Sequence, residues 1–245
     1  MRIFTLIATL LVSWQLQAKT VEYLVDDDVY EGYFLSATAE SPLVLLLHDW
    51  DGLTDYEVRR AQMLNTLGYA VFAADLFGKG IRPERVEDRR QHTGELYKDR
   101  QKMRRLMQAA LTTAATLGGN RNNAVAIGYC FGGAAVLELA RSGETLQGFA
   151  SFHGGLTTPE GQNYQQSQGP IIIFHGSADG NITLQQFADL AEELEQARVS
   201  HEMITYSAAP HAFTVFGSSR YRADADRKSW QRFILFLQSK TQNTP

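Results

Sequence analysis

The stretch "AVAIGYCFGGAAVLELA", residues 124–140, changes character half-way along. Residues 124–129 form an almost unbroken apolar run, as in a strand buried on both faces. From Phe131 onward alanine and leucine dominate, the composition of a helix. At the junction lies the pattern G-x-C-x-G-G, made by Gly128, Cys130, Gly132 and Gly133. Cys130 is the only cysteine of the chain. A strand that turns straight into a helix around such a residue is the context of a nucleophile elbow. The turn strains the backbone of the nucleophile, and side chains two residues either side would collide with neighbouring elements, so glycine is needed there. The following helix directs its N-terminus at the sulfur, which is expected to favour thiolate. A lone cysteine elsewhere reads as a small buried hydrophobe; in this setting it reads as a nucleophile.

Outward from this stretch the same alternation continues. Residues 42–48, 69–75, 123–129, 146–154, 170–176 and 201–207 read as strands, several of them continuous apolar runs. Between them lie helical patterns. One opens at Thr54 with a capping box to Glu57 and stops at Gly68. A second, over 95–117, places Met103, Leu106, Met107, Ala110 and Ala114 on one face. Phe187, Leu190 and Leu194 mark a third, and Trp230, Phe233, Ile234 and Leu237 a last one. Strand–helix alternation predicts an α/β fold with a mostly parallel central sheet and helices on both faces. "VEYLV" and "YEGYFLS" look like an antiparallel hairpin leading into it. Residues 79–94 and 156–169 are polar and expected to be irregular loops, both placed to overhang a site at the carboxyl ends of the strands.

The chain has 245 residues, 44% hydrophobic and 20% charged, ordinary globular composition. Arg2 precedes an apolar run from Ile3 to Trp14, and "LQA" ends at Ala18. The run is too short for a membrane-spanning helix. Residues 1–18 are therefore expected to be a secretory signal, with an uncleaved N-terminal anchor as the alternative. Residues 19–245 would then be one periplasmic or secreted domain, expected to be monomeric and free of the membrane after cleavage. A net charge of −4 without a long basic run argues against nucleic acid or an anionic lipid surface as partner.

A cysteine nucleophile needs a base and an orienting acid, in chain order nucleophile, acid, histidine for this architecture. "IIIFHGSADG" offers Asp179 just past a strand, and "ITYSAAPHAF" offers His211 after the next. Asp189 and Glu202 are rival acids, but one falls inside a helix pattern and the other at a strand start. The oxyanion donors are expected to be the backbone N–H groups of Phe131 and Trp50. No HExxH, no Cys/His cluster and no G-x-G-x-x-G spacing is present, so neither a metal nor another cofactor is implied.

Together "LLLHDWDGL", "AADLFGKG", "GYCFGG", "SFHGGL", "HGSADG" and "PHAF", in this order, resemble the dienelactone hydrolase family of α/β-hydrolases. The resemblance covers nearly all of the chain after residue 18. It implies the α/β-hydrolase fold and a Cys130–His211–Asp179 triad. It also implies hydrolysis of a small ester or lactone through a thioester acyl-enzyme. In well-known members a glutamate after the first sheet strand holds the resting thiol; the matching residue is Asp49, one methylene shorter, for which helix or loop capping is the alternative role. Members that cleave dienelactone hold its carboxylate with two arginines. The matching positions here carry Lys79 and Val215, so one cation remains, without the bidentate fork of arginine. Lys79, His153 and Phe213, beside motif ends, are expected to bind substrate. The rival functions are a catalytically degenerate binding module on the same fold and a redox role for the thiol, for which the chain holds no resolving cysteine.

Overall fold

The computed structural model describes residues 18–241 except 37, 39 and 40. The expected signal segment therefore falls, apart from Ala18, outside the described residues. The chain runs through β1 (Ala18–Val25), β2 (Asp28–Leu35), β3 (Pro42–Leu47), α1 (Asp55–Asn65), β4 (Ala70–Ala74), α2 (Val86–Lys98) and α3 (Arg100–Thr116). It continues through β5 (Asn120–Tyr129), α4 (Phe131–Arg141), β6 (Gly148–Phe152), β7 (Ile171–Gly176), α5 (Leu184–Gln196), β8 (His201–Tyr206) and α6 (Ala223–Thr241). All eight strands form one sheet in the order β1-β2-β4-β3-β5-β6-β7-β8. β3 to β8 are parallel, while β1 and β2 form an antiparallel hairpin joined to β4.

The apolar runs become central strands because both of their faces are covered. Every residue of β3, β4, β6 and β7 is buried. Side chains alternate across a strand, so Leu43, Leu45 and Leu47 join the core layer under α3, α4 and α5. Val44 and Leu46 join the layer with Ala61 and Leu64 of α1 and Phe233 and Leu237 of α6. The capping box at Thr54 forms as its sequence predicts.

Two expectations about loops and helices need correction. Residues 86–94 are not a loop but most of α2, and the single helix expected over 95–117 is two. Asp99 leaves helical geometry (φ −109°, ψ 77°), and its carboxylate accepts the Lys102 N–H at 2.8 Å as the N-cap of α3. In α2 only Thr93 and Leu96 are buried, so it carries no apolar stripe that periodicity could detect. Residues 156–169 are irregular as expected.

Candidate active site

Four parallel strands deliver the key side chains just beyond their carboxyl ends. β3 is followed by His48, Asp49 and Trp50, β5 by Cys130, β7 by Asp179 and β8 by His211.

Cys130 sits directly between β5 and α4 with φ +50° and ψ −109°. A β-carbon at Gly128 would lie 2.1 Å from Gly132 O, and one at Gly132 would lie 2.3 Å from Leu47 O. Both contacts are with backbone, so the glycines are required by close approach of the chain to itself. The Cys130 N–H donates to Phe152 O at 3.0 Å, fixing the elbow to β6.

His211 Nε2 is 3.0 Å from Cys130 Sγ, and its Nδ1 is 2.8 Å from Asp179 Oδ2. An ionised carboxylate only accepts, so Nδ1 carries the proton and Nε2 presents a lone pair to the thiol. The other oxygen of Asp179 accepts the N–H groups of Asn181 at 2.8 Å and Ile182 at 3.0 Å. Burial pushes the Asp179 carboxyl up. The hydrogen bond and charge of His211 and the two backbone donors outweigh that push and hold it below its ordinary value.

Asp49 completes the surroundings of the sulfur. Its Oδ1 accepts the Trp50 N–H at 2.5 Å, and its carboxyl lies close enough to the thiol to act on it electrostatically. Burial first, then the charge of Asp51, pushes Asp49 up to about 6, against the Trp50 N–H, the thiol and His211. The thiol is pushed well above its ordinary value by burial and then by the charge of Asp49, against the Phe131 N–H. Against the expected pull of the helix N-terminus toward thiolate, the backbone donor of Phe131 is opposed by burial and by the neighbouring carboxylate. The Trp50 N–H, expected to be an open oxyanion donor, is occupied by Asp49, while the Phe131 N–H points at the sulfur. Beneath Asp49, the buried Glu57 accepts the Asp49 N–H at 3.2 Å and the Thr54 N–H at 2.9 Å. His48 locks the same loop: its Nδ1 is 2.6 Å from Asp49 O, and its Nε2 accepts the Leu76 N–H at 3.0 Å. Burial lowers His48 to about 4, keeping it neutral.

These residues open into a cleft of about 400 Å³ lined by Trp50, Tyr97, Phe131, Ile182, Arg90 and Arg220 beside Asp49, Cys130 and His211. Three residues expected to bind substrate lie elsewhere. Lys79 pairs with Glu22 at 2.8 Å on the hairpin side of the sheet. Phe213 is fully buried against His153 and Tyr206. His153 is buried behind His211, ring centroids 5.4 Å apart, with Nε2 2.8 Å from Thr214 Oγ1. Burial, then the charge of His211, lowers its pKa and keeps it neutral. Val215 does not line the cleft either.

Arg90 and Arg220 were not foreseen. Neither guanidinium has a hydrogen-bond or ion-pair partner among the described residues, and both line the cleft. Arg90, Thr93 and Tyr97 repeat at i, i+3 and i+7, one face of α2, which is a sequence signal once the helix is recognised. Arg220 lies nine residues beyond His211 without a local pattern. Loop 156–169 lines none of the cleft, whose nearest contribution from that side is Gly155.

A family model described as the dienelactone hydrolase family matches residues 30–241. The chain belongs to this family. It is a hydrolase of the carboxylic ester and lactone class on an α/β-hydrolase fold. A Synechocystis sp. protein provisionally named a carboxymethylenebutenolidase is 25% identical over 223 residues, 83% of this chain and 88% of its own. The crystal structure of a dienelactone hydrolase-like promiscuous phosphotriesterase from metagenomic libraries is 28% identical. It superposes with a TM-score of 0.85 over 92% of this chain and 98% of its own. An esterase of Thermogutta terrifontis shares the fold at 20% identity, with a TM-score of 0.66 over 93% of this chain and 96% of its own.

Proposed function

We propose that this dienelactone hydrolase family member cleaves an ester or lactone through a thioester on Cys130, with His211 as acid–base and Asp179 as its orienting partner. The observation that carries the reading is the unbroken contact from Asp179 to His211 at 2.8 Å and on to the sulfur at 3.0 Å, at a strained elbow that opens into a cleft. At rest the charge of the Asp49 carboxyl keeps the sulfur protonated. Substrate entry displaces that carboxyl, and His211 Nε2 takes the thiol proton as Sγ attacks the carbonyl carbon. The carbonyl electron pair moves to oxygen, which the Phe131 N–H receives. The Trp50 N–H joins it once Asp49 lets go. Collapse breaks the bond to the leaving oxygen, which takes its proton from His211; in a lactone that oxygen stays tethered to the acyl chain. Water then gives a proton to His211 and attacks the thioester, releasing the acid and returning the thiol. Two unpaired arginines at the cleft, Arg90 and Arg220, favour substrates that carry a negative charge near the scissile bond.

The test is hydrolysis of a panel of lactones, aryl esters and thioesters, with Cys130→Ala and Cys130→Ser in parallel and mass spectrometry of the quenched enzyme. The expected result is turnover lost by a factor of about 10³ or more in Cys130→Ala, with an acyl adduct on Cys130 in the native enzyme. Equal turnover in the alanine variant, or none on any panel member by the native enzyme, would sink the triad and favour a binding module.

A further inference from the structure

A second pocket, of about 330 Å³, shares a wall with the catalytic cleft: Tyr97, Gly155 and Ile182 line both. Its far side is built from Arg100, Arg141, Thr157 and Gln186, and no acidic side chain lines it. Behind it the fully buried Glu138 serves three guanidinium groups. It accepts from Arg100 Nη1 at 3.1 Å, Arg104 Nε at 2.8 Å and Arg141 Nη2 at 2.9 Å. Three guanidinium groups thus share one carboxylate, with Arg100 and Arg104 partly open to solvent. Arg141 is only 3% exposed, and its remaining contacts, Gln162 and the Tyr164 hydroxyl, are neutral. Like charges crowded around a single carboxylate favour a further anion beside them.

The free donors face the same space. Arg100 Nε is used by Tyr97 O at 3.1 Å, whereas its Nη2 has no partner among the described residues. The Thr157 hydroxyl accepts Gln186 Nε2 at 2.7 Å, so its own hydrogen is free to be donated. Tyr97 stands between the two pockets and packs edge-on to Phe131, ring centroids 5.4 Å apart. The cluster of donors therefore lies across the wall formed by Tyr97, Gly155 and Ile182 from the cleft at Cys130.

We propose that this pocket is a second substrate subsite, which takes the anionic end, a carboxylate or a phosphate, of an elongated ester whose scissile carbonyl lies at Cys130. The proposal rests on the catalytic reading of Cys130 but is testable without it. Straight-chain dicarboxylates from glutarate to suberate, and ω-phosphono acids of the same lengths, are titrated into the protein by calorimetry. Aryl monoesters of the same acids and their neutral methyl-terminated counterparts are assayed alongside. Affinity is expected to pass through an optimum at the longer chain lengths. Arg100→Gln is expected to weaken the optimal ligand about tenfold, the scale of a lost hydrogen bond to a charged group, and to reduce the kcat/KM preference for the anionic over the neutral ester by a similar factor. Thr157→Val, at an exposed position that cannot compromise the core, should lower the same preference. The phosphono and carboxylate series distinguish the two anions. Binding that is best for the shortest acids, unmoved by Arg100→Gln and lost in Arg90→Gln would overturn the subsite and leave the anion in the first cleft. No binding at any length would overturn it as well. Length-dependent, Arg100-dependent binding without ester turnover would uphold the subsite and instead refute the Cys130 chemistry.

Discussion

Asp49 lies beside Cys130, and its charge is expected to set how reactive the sulfur is at rest. Burial raises both groups, and the carboxylate raises the thiol further by its charge. Asp49→Asn removes the charge yet keeps an oxygen for the Trp50 N–H. The thiol should then ionise at lower pH. We expect the midpoint of iodoacetamide labelling against pH to fall by about one unit; an unchanged or raised midpoint would show that Asp49 does not govern the sulfur. Cys130, Asp179 and Asp49 were legible in the sequence because each lies just past a continuous apolar run, and His211 because it follows the next strand in the order the architecture requires, so that all four converge. Lys79, His153 and Phe213 also lie near motif ends, but sequence does not say which way a loop side chain points. Phe213, two residues after His211, turns into the core, and Lys79 turns to Glu22 on the hairpin.

The strands were the most readable elements, since burial on both faces leaves an uninterrupted apolar signature in β3, β4 and β7. α2 was the least readable. It buries little, contains Gly94, and ends at an aspartate that caps the next helix rather than at a glycine. Two glycine substitutions make the contrast measurable. Gly132→Ala puts a methyl against the backbone oxygens of Leu47 and His48, at 2.3 and 2.6 Å. A backbone contact cannot yield as a side chain can, so a loss of about 3 kcal/mol or more in urea unfolding is expected. Gly94→Ala meets nothing within 4 Å and lies inside a helix, where alanine is favoured by about 1 kcal/mol. A stabilised Gly94→Ala with an unstable Gly132→Ala would locate the stringency at the elbow; equal effects would refute that account.

Beneath the site the molecule is tied together by buried charge as well as by its core. Glu57, pushed up to about 8 chiefly by burial, takes up its proton far more readily folded than unfolded. The folded state therefore binds more protons between about 4.5 and 8, and stability falls as pH rises through that window, by about 1.4 kcal/mol per unit at most. Glu57→Gln should remove this slope, so that the Tm of native protein minus variant declines from pH 5 to pH 9; a constant difference would contradict the raised carboxyl. The buried histidines have the opposite dependence, but both proteins share it and it cancels. A second buried group spans more of the fold. Arg60 of α1 pairs with Asp226 of α6, donates to Thr214 O at 2.9 Å, and lies over the rings of Trp230 and Phe216. Thr214 in turn contacts Tyr56 and His153, and His153 packs on His211. One ion pair thus joins helices α1 and α6 to the loop that holds the proposed base. Asp226→Ala leaves a guanidinium without its counter-ion in a site where water cannot replace it, and should cost about 3–5 kcal/mol. Arg60→Met with Asp226→Leu removes both charges and should recover most of that loss. The activity of the double variant should stay low, because the guanidinium also fixed the Thr214 carbonyl behind His211. Denaturation together with kcat on one ester separates these effects. Full recovery of both quantities would mean that the network stabilises the fold without orienting His211.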